Sequence, residues 1–291
     1  MLITEKIKQT SFSPTEHQLV DYILAQRQEL KHKTTKQISA ETFTNPSMLV
    51  RIAKKLGFDG WSELKEVFLE EVRYLDSNFD RIDPNLPFSK DDGCMAIAGK
   101  LAQLHQTTIS DTLSLIQYDA LLNAARLLNQ AGHVKVFTLN ENRLIVQDFV
   151  LRMNRIHKYT SVCMTDTEHI YEAFSCPPDS CAIIVSYTGE SSWVRQIIRI
   201  LKKRGIPVIG MTGFGQSTLT DEADCVLHLT TRERLYSKIA SFTITVSINY
   251  LLDVLYSCVF ADQYDENLKR KIQISKLTDH RKSTSRIMDE N

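Results

Sequence analysis

The sequence predicts two architectures in one chain: an all-α domain, followed by an α/β domain with a five-stranded parallel sheet covered by helices. Three observations carry this. Residues 1–75 are helix-patterned and hold no strand-like run. From Val134 onward, short apolar β-rich runs alternate with helical stretches, as parallel strands joined by helical crossovers require. Between the two parts, DSNFDRIDPNLPFSKDDG mixes Asp, Asn and Ser with two prolines and reads as a connector. The expected division is 1–75, a linker 76–93, a second domain 94–262 and a polar tail 263–291.

In the first part, Ser13-Pro14-Thr15-Glu16 forms a capping box with proline at the first helical position. It starts a helix that turns Leu19, Ile23 and Leu24 inward. Thr34-Thr35-Lys36-Gln37 repeats the box and opens a short helix running through Ile38 to Thr42. Asn45-Pro46 then supplies a cap and a first-turn proline a few residues later, so two short helices meet at a tight turn. The helix from Pro46 to Leu56 stops at Gly57, which suits a left-handed cap. Helical periodicity puts Leu49, Ile52, Ala53 and Leu56 on one face; Ser47, Arg51, Lys54 and Lys55 lie opposite, flanked by Met48 and Val50.

Lys+Arg and Asp+Glu both number 35, so nucleic-acid binding would have to come from local clustering of charge. Residues 31–58 supply it, with Lys31, Lys33, Lys36, Arg51, Lys54 and Lys55 against Glu41 alone. A solvated basic surface is one reading. The other is a helix-turn-helix whose second helix enters the major groove of duplex DNA, capped by Asn45, with Ser47, Met48 and Arg51 near base edges. Lys36, Lys54 and Lys55 would then lie on phosphates. The run TNPSMLVRIAKKLGFDGWSELK resembles the helix-turn-helix domain of the RpiR/MurR family of bacterial transcriptional regulators. The likeness spans about Phe12 to Leu75, and RIAKKLGFDG is its most specific part; Met48 stands where many members have threonine. The resemblance implies an operator-binding protein.

Five strands are expected over Val134–Thr138, Tyr159–Met164, Cys181–Ser186, Pro207–Thr212 and Cys225–Leu229. Ligands of such sheets sit beyond the carboxyl ends of the strands, where SYTGES, residues 186–191, lies. Ser186, Thr188 and Ser191 offer hydroxyls, Gly189 admits close backbone approach, and a helix start at Ser191 or Ser192 favours an anion of phosphate size. A capped turn without ligand fits the same residues. The stretch resembles the SIS (sugar isomerase) domain, a flavodoxin-like fold in which an SxSGxT loop grips a sugar phosphate. Ser186 and Gly189 match that loop, and Thr188 and Ser191 match it conservatively. Residues Gln216 to Asp224 also look like the family's SPLAxxAD segment. The resemblance covers about Leu121 to Phe260. One departure stands out: the first strand-end loop, often GxGxS, reads Thr138-Leu139-Asn140-Glu141-Asn142. The resemblance assigns effector contacts to Asn140, Asn142, Ser186, Tyr187, Thr188, Gly189 and Ser191.

An aldose-ketose isomerase needs an acid and a base, for which Glu190, His169, His228 and Glu233 are the available residues. None forms a motif, and a capped helix-turn-helix suits a sensor better than an enzyme. The expectation is therefore a homodimeric, cytoplasmic transcriptional regulator responding to a sugar phosphate, without catalytic residues. A phosphosugar isomerase with an accessory helical domain is the alternative. Dimerisation is expected through helices within Asp92–Gln117 and Tyr236–Phe260. The six cysteines show neither CxxC pairs nor zinc spacing, so no metal or cofactor is expected. The start MLITEKIKQT lacks a secretory apolar core. The apolar stretch Ile239–Phe260 carries Ser241, Thr243, Thr245, Ser247, Asn249 and Asp253, which suits a packed helix rather than a membrane span.

Overall fold

The protein is described by a computed structural model covering residues 2–76 and 82–278. Part of the expected linker and the end of the expected tail therefore lie outside the described residues. The first five helices are α1 (Ile3–Gln9), α2 (Pro14–Gln26), α3 (Thr35–Glu41), α4 (Pro46–Lys55) and α5 (Trp61–Asp76). Both expected capping boxes form: Ser13 and Thr34 accept from the backbone of Glu16 and Gln37. Asn45 caps α4. Gly57, at φ +81°, ends it; Gly57 N–H bonds to the Lys54 carbonyl and Phe58 N–H to the Ala53 carbonyl, the paired bonds of a Schellman stop. Leu19, Ile38, Leu49, Ile52, Leu56 and Phe68 fill one core among these helices. Helix α1 precedes the first expected helix, and its start is held from far along the chain: the buried Glu71 carboxylate accepts from the amides of Ile3 and Thr4.

The second part runs α6 (Cys94–Leu115), α7 (Tyr118–Gln130), β1 (His133–Phe137), α8 (Asn142–Arg155), β2 (Tyr159–Val162), α9 (His169–Phe174), β3 (Ser180–Val185), α10 (Ser192–Lys203), β4 (Val208–Gly213), α11 (Thr218–Glu222), β5 (Cys225–Leu229), α12 (Phe242–Asp262) and α13 (Tyr264–Thr278). All five expected strands form within a residue or two of their expected bounds. They pair in parallel in the order β2-β1-β3-β4-β5, with Phe137 opposite Ile184 and Val185 opposite Met211. Alternate residues feed opposite faces. Val134, Ile183 and Ile209 pack with α7, α8 and α12, whereas Phe137, Ile184 and Val208 pack with α9 and α10. The expected tail begins as helix α13.

Helix α12 is long and apolar enough to cross a membrane, but it packs against α6, α7 and α8. Its interior hydroxyls are engaged: Ser247 Oγ accepts from Thr112 Oγ1 at 2.9 Å and from the Thr230 amide at 3.1 Å. A buried carboxylate starts the helix, because Glu233 accepts from the Ile244 amide at 3.2 Å and from the Thr243 hydroxyl at 2.7 Å. That arrangement satisfies N-terminal amides that the helix itself leaves open.

The end of α5 is docked on the sheet domain. Arg232 donates to the carbonyls of Tyr74 and Leu75, lies 4.2 Å from the Tyr74 ring centre, and pairs with the buried Asp111 at 2.9 Å. A cation on the last carbonyls of a helix is favourable electrostatically as well as by hydrogen bonding. Asp111 also accepts from the Thr230 hydroxyl at 2.5 Å, so one carboxylate organises the whole joint. We expect Asp111→Ala to cost about 3 kcal/mol or more, because it strands the Arg232 charge in a largely buried site. Urea denaturation would measure the loss, and hydrogen exchange should show it concentrated at residues 72–75 and 230–232.

Candidate DNA-reading face and effector mouth

On the outer side of α4, Asn45, Ser47, Val50, Arg51, Lys54 and Lys55 are exposed, as is Lys36 on α3. Ser47 turns back on its cap, its hydroxyl donating to Asn45 Oδ1 at 3.1 Å. Met48 is only half outward: it shares a side of the helix with the buried Ile52, one turn on, and packs against the helical core. Val50 occupies the apolar outer position instead.

A carboxylate from the neighbouring helix organises this face. Glu16, only 1% exposed, accepts from Arg51 Nε at 3.0 Å and from Lys55 Nζ at 2.7 Å, and it also accepts from the Ser13 amide at 2.8 Å. Arg51 and Lys55 are one helical turn apart, so both reach the first turn of α2. The Lys55 hydrogen bond, with the Ser13 amide next in importance, holds the Glu16 carboxyl down at about 2 from its usual 4.5. Arg51 keeps 60% of its side chain exposed and can still present its outer nitrogens. The sequence shows Glu16 as a capping residue; its pairing across 35 positions carries no local signal. The turn before α4 holds another unanticipated feature, Phe43, 92% exposed with φ +53°.

At the carboxyl ends of β1 and β3, loops 138–142 and 186–191 stand side by side, and Thr138 Oγ1 donates to the Val185 carbonyl at 3.0 Å. Gly189 has φ +65°, and a Cβ there would fall 2.3 Å from Ser217 Oγ, so only glycine fits. Its amide bonds to the Ser186 carbonyl and hydroxyl at 3.2 and 3.3 Å. Ser191 caps α10 through its backbone without spending its hydroxyl on the helix. Thr188 is exposed and Ser186 buried beneath it. Tyr187 is turned away: its hydroxyl donates to the Glu233 carbonyl at 2.8 Å, and burial pushes its phenol well above its usual range. In the first loop, Asn140 takes φ +53°, so asparagine supplies the left-handed turn that glycine would otherwise make. Asn142 is half-buried and opens α8.

The four acid-base candidates are engaged in the framework. Glu190 accepts from the Thr218 amide and hydroxyl at 2.6 and 3.0 Å and pairs with Arg195 at 3.1 Å. Glu233 starts α12 and pairs with Lys238 at 2.8 Å. His169 is stacked on Trp193 with Nε2 3.3 Å from the Thr138 carbonyl; burial lowers its pKa. His228, also lowered by burial, lies 3.3 Å from the Gly213 carbonyl.

Residues 1–73 match the helix-turn-helix domain of the rpiR family, and residues 127–257 match the SIS domain, together well over half of the chain. The chain belongs to the RpiR family. This domain pair makes it a DNA-binding transcriptional regulator. It is 26% identical over 254 residues, 87% of each chain, to the uncharacterized HTH-type transcriptional regulator YbbH of Bacillus subtilis (strain 168). It is 24% identical to the HTH-type regulator CPE0189 of Clostridium perfringens, over 94% of this chain and 97% of that one. Among solved structures, the Vibrio vulnificus NanR protein complexed with ManNAc-6P shares the fold at a TM-score of 0.59 and 18% identity, covering 96% of this chain and 98% of that one. A second, the sugar isomerase domain of an RpiR transcription factor from Sphaerobacter thermophilus, shares the sheet-domain fold at a TM-score of 0.54 and 17% identity, covering 62% of this chain and 98% of that one.

The Glu16 geometry generates a test. Glu16→Gln should lower stability by about 2 kcal/mol at neutral pH, the scale of hydrogen bonds to charged groups. Because the folded carboxyl is held below its unfolded value, its contribution is present above the usual 4.5 and is lost as pH falls towards 2. Urea denaturation across that range should show the wild type losing stability, with the variant losing less.

Proposed function

We propose that this RpiR-family regulator is a cytoplasmic homodimer whose operator affinity is set by a sugar phosphate bound at the mouth formed by loops 138–142 and 186–191. The observation that carries the reading is the 186–191 loop. Ser186, Thr188 and Ser191 hydroxyls, the left-handed Gly189 and the start of the twelve-residue α10 converge on one strand end. Amides at a helix start together with hydroxyl donors suit a dianionic phosphate. The solved neighbour complexed with ManNAc-6P supports an amino-sugar phosphate as the ligand class. Asn140 and Asn142 complete the mouth with side-chain amides, which suit sugar hydroxyls.

In this reading the functional units are 1–75 for DNA, 76–93 as linker, and 94–262 for effector and dimer contacts. Asn45, Ser47 and Arg51 meet base edges, with Met48 beside them, and Lys36, Lys54 and Lys55 meet phosphates of a pseudo-palindromic duplex. Helix α6, which exposes Met95, Ile109 and Leu113, lies beside α12 and provides the dimer face. The protein binds its ligand without converting it, because Glu190, His169, His228 and Glu233 are committed to caps, stacking and ion pairs.

Thermal denaturation with a panel of hexose and hexosamine 6-phosphates, N-acetylmannosamine 6-phosphate included, tests the effector site. A ligand at a hundredfold its Kd should add about 2.7 kcal/mol to the wild type. Ser186→Ala should abolish that gain and leave operator binding intact. Arg51→Ala should weaken binding to a duplex recovered by selection from a random library roughly tenfold or more, the scale of one base contact. Isomerised product after incubation with the stabilising sugar phosphate would overturn the non-catalytic reading.

A further inference from the structure

The effector loop and the DNA-reading helices are joined by one short segment. Residues 213–219, from the end of β4 into the first turn of α11, press against the 186–191 loop on one side. The Gly213 amide bonds to the Tyr187 carbonyl at 3.0 Å, and the Leu219 amide to the Gly189 carbonyl at 3.2 Å. The packing is tight in both directions: a Cβ on Gly189 would meet the Ser217 side chain at 2.3 Å, and one on Gly213 would meet the Tyr187 backbone carbonyl at 2.8 Å. A shift of either loop therefore strains its contacts with the other.

On its opposite side the same segment holds the helical domain. Phe214 stacks on Tyr74 with ring centres 5.0 Å apart and planes at 29°. The Phe214 amide bonds to Thr231 Oγ1 at 2.5 Å, while the Thr231 amide bonds to the Tyr74 hydroxyl. Lys6 of α1 reaches Gln216 Oε1 at 3.1 Å. Beneath these contacts lies a cavity of about 250 Å³, with Ile3, Phe58 and Val67 on the helical side and Phe214, Gln216 and His228 on the sheet side. An interface made of a few directed contacts can take a second seating, as a continuous close-packed core does not.

We propose that the segment Gly213–Leu219 couples the two ends of the molecule, with Phe214 and Tyr74 as positioning residues. An anion gripped by residues 186–191 displaces the segment, and the Phe214–Tyr74 stack passes the displacement to α5 and so to α4. This rests on the effector reading above for its ligand, but the mechanical link itself is testable without one.

The test is a double-variant cycle on operator affinity, measured by fluorescence anisotropy with the selected duplex. Gly189→Ala forces the 186–191 loop against Ser217. In the wild-type background it should change operator affinity roughly fivefold or more, the lower range of allosteric coupling. In the Phe214→Ala background the same substitution should change it little, since the contact that transmits the push is gone. Equal changes in both backgrounds would overturn the proposal. Should Gly189→Ala fail to fold, Glu190→Gln, which loosens the contact with Thr218, runs the same cycle.

A second arm uses whichever sugar phosphate of the panel stabilises the wild type. Phe214→Ala should keep that stabilisation and lose the ligand's effect on DNA; a retained effect counts against the link. If no sugar phosphate stabilises the wild type, the effector reading fails, and the ligand-free cycle still decides the coupling.

Discussion

A parallel sheet in the order β2-β1-β3-β4-β5 must reverse its winding between β1 and β3, and the functional geometry of the second domain hangs from that reversal. Helices leaving the two strands go to opposite faces, so the loops that follow them part and leave a mouth at their carboxyl ends. The loops after β4 and β5 continue along the same rim. They supply the surface on which Tyr74 is seated, so the proposed ligand mouth and the attachment of the helix-turn-helix domain share one edge of one sheet. That adjacency makes a short mechanical path between them possible.

Three glutamates in this protein work as helix starts. Glu71 holds the first amides of α1, Glu16 closes the capping box of α2, and Glu233 receives the opening amides of α12. All three are buried, and two of them also hold cations: Arg51 and Lys55 on Glu16, Lys238 on Glu233. Ionised groups inside a protein persist where amides and cations surround them.

How much of this was legible depends on whether the cause is local. Ser13, Thr34, Asn45 and Gly57 declare helix ends through their immediate neighbours, and the apolar runs declare strands through composition; both readings survive nearly unchanged. The left-handed turn at Asn140 was half visible, since the loss of glycine was plain but the capacity of asparagine to keep the conformation emerges only from the backbone. Helix α1 was missed because its N-terminus is satisfied by Glu71, on a helix sixty-eight residues later. The joint of Tyr74, Asp111 and Arg232 was invisible for the same reason. Three positions spread along the chain become neighbours only after the sheet has formed. At the proposed effector mouth, the 186–191 loop was readable as a strand-end turn of hydroxyls around one glycine, but the inward turn of Tyr187 was not, because it answers to the Glu233 backbone.

The pairing of Glu16 with Arg51 and Lys55 has a consequence for how this regulator would respond to its ionic surroundings. Protein–DNA affinity commonly weakens as salt rises, because each cation laid on a phosphate frees a condensed counterion. At the proposed interface two of the cations arrive already partnered by a buried carboxylate, and Lys33 is likewise partnered by Glu41 at 2.5 Å. Fewer counterions would be freed there than the number of basic residues suggests. The grip on DNA would then lean on shape and on the short polar side chains at the start of α4, and it would hold more evenly as the salt content of the cell rises and falls.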